Sequence, residues 1–152
     1  MRARDLVRTA AVVIPRSTTV AVAAKALADA GVGSLIVVDD GVVVGIVTDR
    51  DLVLRAMATR MPLDVPIGSV MTPDVVTVTA EDSIEDVYAI FRKVPFRRLP
   101  VVDPDDGHRV IGVIAVDDLL LDVTRRLRDV IGPIVEEIGM PHRESPFPVP
   151  SS

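Results

Sequence analysis

The chain has no cysteine and no tryptophan, and its only aromatic residues are three phenylalanines and one tyrosine. Without cysteine, neither a disulfide framework nor a thiolate metal site can form. Histidine is scarce as well: His108 falls in a polar turn and His142 in the tail, so a transition-metal site finds no ligand cluster. No apolar run approaches the ~20 residues that a membrane helix needs. Asp5 follows Met1-Arg2-Ala3-Arg4 where a signal peptide would place its apolar stretch. The net charge of −5 disfavours nonspecific nucleic-acid binding, and blocks of single-sign charge are missing. These absences agree with a cytoplasmic protein that engages neither membrane nor nucleic acid.

What the chain does have is aliphatic bulk and a repeat. Apolar residues make up 49% of it and aromatics 3%, so the core must be built from Val, Ile, Leu and Ala. The 152 residues allow one compact domain or two very small ones. A unit of about 60 residues is marginal alone, because it buries too little surface. Val12, Leu35, Val37, Val38 and Asp39 recur as Val76, Leu99, Val101, Val102 and Asp103, a constant shift of 64 residues. Past a turn longer by three residues, Gly45-Ile46-Val47-Thr48-Asp49-Arg50-Asp51-Leu52 matches Gly112-Val113-Ile114-Ala115-Val116-Asp117-Asp118-Leu119. Two copies at this period suggest paired units that share a core and a cleft.

Each copy reads strand, helix, strand, strand, helix. Val12-Val13-Ile14 is β-branched, and Thr18 or Thr19 caps a helix from Val20 to Ala30 that Gly31 ends. Leu35–Val38 and Val42–Val47 form a hairpin about Asp39-Asp40-Gly41, and Thr48 opens a helix to about Met57. Residues 58–69, with Pro62 and Pro66, read as a linker. Val75–Val78 is then a strand, Ser83 and Asp86 cap a helix from Ile84 to Val94, and Arg98–Val102 and Val110–Ile114 form the second hairpin. A last helix runs from near Asp117 to Val130 or beyond, with Gly132-Pro133 expected to interrupt it. From Gly139 on, four prolines give the tail a disordered composition.

In this arrangement, with Gly-x-x-(Thr/Ser)-x-x-Asp following the first hairpin, the chain resembles a tandem pair of CBS domains, a Bateman module. Val70-Met71-Thr72-Pro73 and Arg97-Arg98-Leu99-Pro100-Val101-Val102-Asp103 add to the likeness. The resemblance implies an α/β (α+β) fold of two CBS units packed with pseudo-two-fold symmetry. Their expected spans are 5–61 and 66–124, followed by a helical extension over 125–138 and a disordered tail over 139–152. It further implies a binding site for AMP, ADP, ATP or a related adenosyl ligand in the cleft between units. Asp51 would take the ribose hydroxyls and Thr48 the phosphate, with the adenine against the backbone of Val75, Val76 and Thr77. Ser34 corresponds to Arg98 in the other copy, and both positions should line clefts. Paired CBS units also commonly form a flat disk of four, which predicts a homodimer.

The residue chemistry points the same way. A carboxylate can accept two hydrogen bonds from a cis-diol, and a helix start offers free N–H groups to an anion. Thr48 and Asp51 are one turn apart and share a face. Arg50, Arg97 and Arg98 supply the positive charge that an acidic chain needs to hold phosphate. As strand neighbours, Arg97 and Arg98 should point opposite ways, with one entering a given site. Thr48-x-x-Asp51 is equally a capping box, and the two roles are compatible. In the second copy Asp118 can still reach a ribose, but Ala115 has no hydroxyl and Asp117 adds negative charge; Thr9–Val13 would form its adenine wall.

Three functions follow from this reading. The favoured one is a stand-alone regulatory module that binds an adenine nucleotide and signals to an unidentified effector protein, with no covalent cofactor. The alternative is a structural or interaction protein with vestigial nucleotide sites. An enzyme is disfavoured, because the sequence has no nucleophile–base pair, metal cluster or catalytic carboxylate pair.

Overall fold

The computed structural model describes residues 1–8, 10–106 and 109–139. The first unit is a sheet in the order β1-β2-β3-β4, made of Val13–Pro15, Ser34–Asp39, Val42–Thr48 and Thr72–Pro73. The second is a sheet in the order β5-β6-β7, made of Val78–Thr79, Arg98–Asp103 and Arg109–Ala115. In each unit the first strand pairs parallel with the second, and the hairpin is antiparallel. Both hairpins carry a register shift, between Val37 and Val38 and between Val101 and Val102, which are equivalent positions in the repeat.

The helices follow from their caps. Thr19 Oγ1 accepts from the Val22 N–H to start α2 (Val20–Ala30), and Gly31, left-handed with φ of 63°, ends it. Ser83 and Asp86 close a capping box at the start of α4 (Ile84–Lys93). Val20, Ala23 and Leu27 of α2, and Ile84 and Val87 of α4, turn into two separate aliphatic cores.

Those cores are closed by exchanged segments. The short helix α1 (Ala3–Leu6) buries Ala3 and Leu6 in the second core, with Val78, Val87, Leu99 and Ile114. Ile67, Val70 and Met71, which lead into the second unit, bury in the first core. Several of the hydrogen bonds repeat at equivalent positions. Ala3 N–H donates to Asp82 O (2.9 Å) as Ile67 N–H does to Thr18 O (2.7 Å). Likewise Ile84 N–H donates to Met1 O (3.3 Å) as Val20 N–H does to Val65 O (2.9 Å). Asp5 and Leu6, placed by the sequence in a first unit spanning 5–61, therefore sit on the second.

The motif glycines make room for this exchange. A Cβ on Gly45 would stand 2.6 Å from Met71 Sδ and 2.7 Å from the Thr72 carbonyl oxygen, and a Cβ on Gly112 would collide with Val7.

Three local expectations need correction. Val75–Thr77 are not strand; the strand is Val78–Thr79, and a further strand at Thr72–Pro73 caps the edge of β3. The helix after Thr48 is α-helical only at α3 (Asp49–Asp51) and widens to a π-helix over Leu52–Met57, which apolar spacing cannot distinguish from an α-helix. Gly132-Pro133 does not interrupt α5, which runs over Val116–Gly139 with Pro133 inside. Gly132 has no Cβ to clash with the proline ring, and Asp129, whose carbonyl Pro133 cannot satisfy, is exposed, so water can take that bond. The tail beyond Gly139, His142 within it, and Thr9, Gly107 and His108 lie outside the described residues.

Candidate functional site

The chain turns from β3 into α3 at Thr48, and the turn is fixed by a reciprocal pair of bonds. Thr48 Oγ1 accepts from the Asp51 N–H at 3.1 Å, and Asp51 Oδ2 accepts from the Thr48 N–H at 3.0 Å. The capping role is thus realised, yet it leaves ligand-binding capacity. The Thr48 hydroxyl still has its proton to donate. Asp51 Oδ1 faces only Arg55, at 3.7 Å, and that guanidinium also bonds Val70 O and Thr72 Oγ1.

These groups line a cleft of about 290 Å³, at the small end for a ligand pocket. Its first side is Ile46, Thr48, Arg50 and Asp51, with Thr72; its other side is Pro95, Phe96, Arg97 and Arg98, from the loop that enters β6. Five expected residues, Thr48, Arg50, Asp51, Arg97 and Arg98, therefore meet in one place. Both Arg97 and Arg98 reach it, rather than one of them. Arg97 lies just ahead of β6, so strict strand alternation does not bind it. Three arginines and one carboxylate line this cleft. Phe96 is half-buried and offers the only aromatic face in the cleft. The sequence reading missed Phe96, Pro95, Ile46 and Thr72. Phe96 had a signal, as one of so few aromatics placed beside a Pro and two Arg. Val75, Val76 and Thr77 are not among the lining residues.

A second cleft, of about 230 Å³, is the equivalent of the first. Val113, Ala115 and Asp118 stand where the first cleft has Ile46, Thr48 and Asp51. Gly31, Val32, Gly33 and Ser34 stand where it has Pro95, Phe96, Arg97 and Arg98. Ala10, Ala11 and Val12 form the remaining wall, as expected of that segment. Asp118 repeats the behaviour of Asp51: Oδ2 accepts from the Ala115 N–H at 2.7 Å, and Oδ1 faces an arginine, Arg8 Nε at 3.5 Å. Both carboxylates are 17% exposed, so the clefts differ in surroundings and not in access to the acid. Arg8, equivalent to Thr72, was also missed in the sequence. Asp117 replaces Arg50 and lines a small recess with Arg97, Arg98, Ala115 and Val116.

Among the described residues no group of three or more His, Cys, Asp or Glu is placed to hold a metal ion. No helix there is long and apolar enough to cross a membrane.

Comparison with known proteins places this geometry. The family model for the CBS domain matches the chain twice, over residues 3–57 and 67–124. Those matches begin at the exchanged segments, Ala3 and Ile67. The CBS domain-containing protein YhcV of Bacillus subtilis is 30% identical over 119 residues, covering 78% of this chain and 83% of YhcV. Among solved structures, the CBS domain protein PAE2072 of Pyrobaculum aerophilum, complexed with AMP, matches with a TM-score of 0.69 at 26% identity. The match covers 82% of this chain and 99% of that one. The CBS domain pair of protein MJ0100, in complex with 5′-methylthioadenosine and S-adenosyl-L-methionine, gives a TM-score of 0.70 at 25% identity. It covers 83% of this chain and 98% of that one.

Proposed function

The chain belongs to the CBS-domain family as a tandem pair, and on that premise we propose that it is a regulatory module that binds an adenine nucleotide in the first cleft and passes the bound state to a partner protein. The observation that carries this reading is the asymmetry of the two clefts. The first gathers Arg50, Arg97, Arg98 and Phe96 around the Thr48–Asp51 pair; the second has Asp117, Gly33, Ser34 and Val32 at the same positions. Relatives that hold AMP or S-adenosyl-L-methionine support the ligand class.

In this reading Asp51 Oδ1 accepts from the ribose hydroxyls, and the Thr48 hydroxyl donates to phosphate. Arg50, Arg97 and Arg98 supply charge-assisted bonds to the phosphate oxygens. Phe96 gives the adenine a flat apolar face. Val75 and Val76 keep their proposed place on the adenine wall, with Thr77 beside them, because their equivalents Ala11 and Val12 line the second cleft. Asp118 serves a ribose there, with a ligand of lower negative charge. The module is not an enzyme and works as a cytoplasmic homodimer. The dimer covers aliphatic side chains that each chain exposes on the helices after Thr48 and Ala115.

Mass spectrometry of small molecules released from the purified protein identifies the ligand, and a thermal-shift panel of AMP, ADP, ATP, adenosine and S-adenosylmethionine tests it. An adenine compound should be released or should shift the melting temperature. If neither happens at millimolar concentration, the alternative of an interaction protein with vestigial sites takes over.

A further inference from the structure

The two clefts share one guanidinium. Arg98 lines the first cleft and the second alike, together with the small recess beside Asp117. Its Nη2 lies 3.5 Å from where a Cβ on Gly33 would be, so it reaches across into the opposite unit. The position equivalent to Arg98 in the repeat is Ser34, which has no charge to offer in return. Without Arg98 the first cleft still has Arg50 and Arg97. The second is lined by no other arginine, and Arg8, the cation nearest its carboxylate, faces Asp118 Oδ1 at 3.5 Å.

Resting on the nucleotide reading above, we propose that Arg98 serves the phosphate of one cleft at a time and so couples the two sites negatively for phosphorylated ligands. A guanidinium presents its paired N–H groups as a planar fork that engages one phosphate bidentately. When a nucleotide in the first cleft holds that fork, the second keeps Asp118 for a ribose but has no other arginine in its lining, Arg97 reaching only the recess beside Asp117, and Asp117 repels an anion. The second cleft is then left to adenosyl ligands that carry no phosphate. Emptying the first cleft releases Arg98 and makes the second competent for a nucleotide. Coupling of this kind needs no movement of the backbone, only two positions of one long side chain.

Calorimetry with AMP and with adenosine tests this on the full chain and three variants. In the wild type, a second AMP should bind at least about tenfold more weakly than the first, which is the worth of one charge-assisted bidentate contact. Asp51→Ala, which disables the first cleft, should strengthen AMP binding at the second by a similar factor over the wild type's second site. Ser34→Arg supplies a second guanidinium and should raise second-site AMP affinity while leaving adenosine unchanged. Arg98→Gln should weaken AMP at both sites and adenosine at neither. If second-site AMP affinity is the same in the wild type, Asp51→Ala and Ser34→Arg, the sharing is wrong and the nucleotide reading stands. If neither AMP nor adenosine binds the wild type, both fall together.

Discussion

At the scale of single residues, the two halves of the molecule differ where their chemistry differs. Asp51 and Asp118 have the same exposure and the same capping bond, so a difference between them must come from their neighbours. Asp51 has Thr48, Arg50 and Phe96 around it, whereas Asp118 has Ala115, Asp117 and Val32. Asp51→Ala should therefore weaken AMP binding in the first cleft by about tenfold or more, since losing a charged hydrogen-bond partner costs ~1.5–3 kcal/mol. Asp118→Ala should have a smaller effect, and an equal or larger one in calorimetry would mean that the ligand prefers the second cleft. Gly112 is a purely structural counterpart. A methyl there meets Val7, whose branched side chain is stiff, so Gly112→Ala should cost ~1–3 kcal/mol of stability through overpacking. Trimming the opposing group in the double variant Gly112→Ala, Val7→Ala should recover part of that loss in urea unfolding. Strict additivity of the two changes would show that they do not meet.

At the scale of elements, the exchanged segments explain what could and could not be read from the sequence. Helices α2 and α4 were legible to within a residue because their caps, Thr19 with Gly31 and Ser83 with Asp86, are local chemistry written beside them. The hairpins were legible because β-branched runs flank an Asp-Gly turn or its equivalent. Leu6, Val70 and Met71 were not, because nothing in a short apolar segment names the distant core that receives it. The same holds in the cleft. Thr48 and Asp51 announce themselves by spacing, but Phe96 and Thr72 reach it only through tertiary packing. The strand at Thr72–Pro73 likewise exists because the edge of β3 needs a partner, and not because two residues favour extension. The exchange also makes a prediction. Leu6 lies near the N-terminus but is 3% exposed in the second core. Leu6→Ala should cost ~2–5 kcal/mol, as for other buried leucines, and should lower the melting temperature of the whole chain in one transition. Unfolding in two separate steps, with the first unit unaffected, would contradict a mutually closed pair of cores.

At the scale of the whole molecule, exposed aliphatic surface and ligand linkage each lead to a measurement. Val53 and Leu54 after Thr48, and Leu120 and Leu121 at the equivalent turn of α5, are all about half exposed, and Leu127, Val130, Ile131, Ile134 and Val135 continue the exposed apolar series along α5. A second copy should cover part of this surface, so light scattering at micromolar concentration should report a mass near twice the 16.3 kDa of one chain. Only the single-chain mass would exclude the dimer. Ligand linkage tests the function itself. A compound that binds only the folded state at a hundredfold excess over its dissociation constant adds ~2.7 kcal/mol, and for a chain of this size each kcal/mol raises the melting temperature by roughly 2–4 °C. Saturating cognate nucleotide should therefore raise it by roughly 5–10 °C. Thr48 separates binding from capping within the same experiment. Its Oγ1 accepts from the Asp51 N–H whether or not a ligand is present, so Thr48→Ala should cost about 1 kcal/mol in the free protein. If the hydroxyl proton also meets phosphate, the variant should in addition lose more of the AMP shift than of the adenosine shift. An equal drop with and without AMP would leave Thr48 as a cap alone, and the phosphate would then rest on the three arginines that line the cleft.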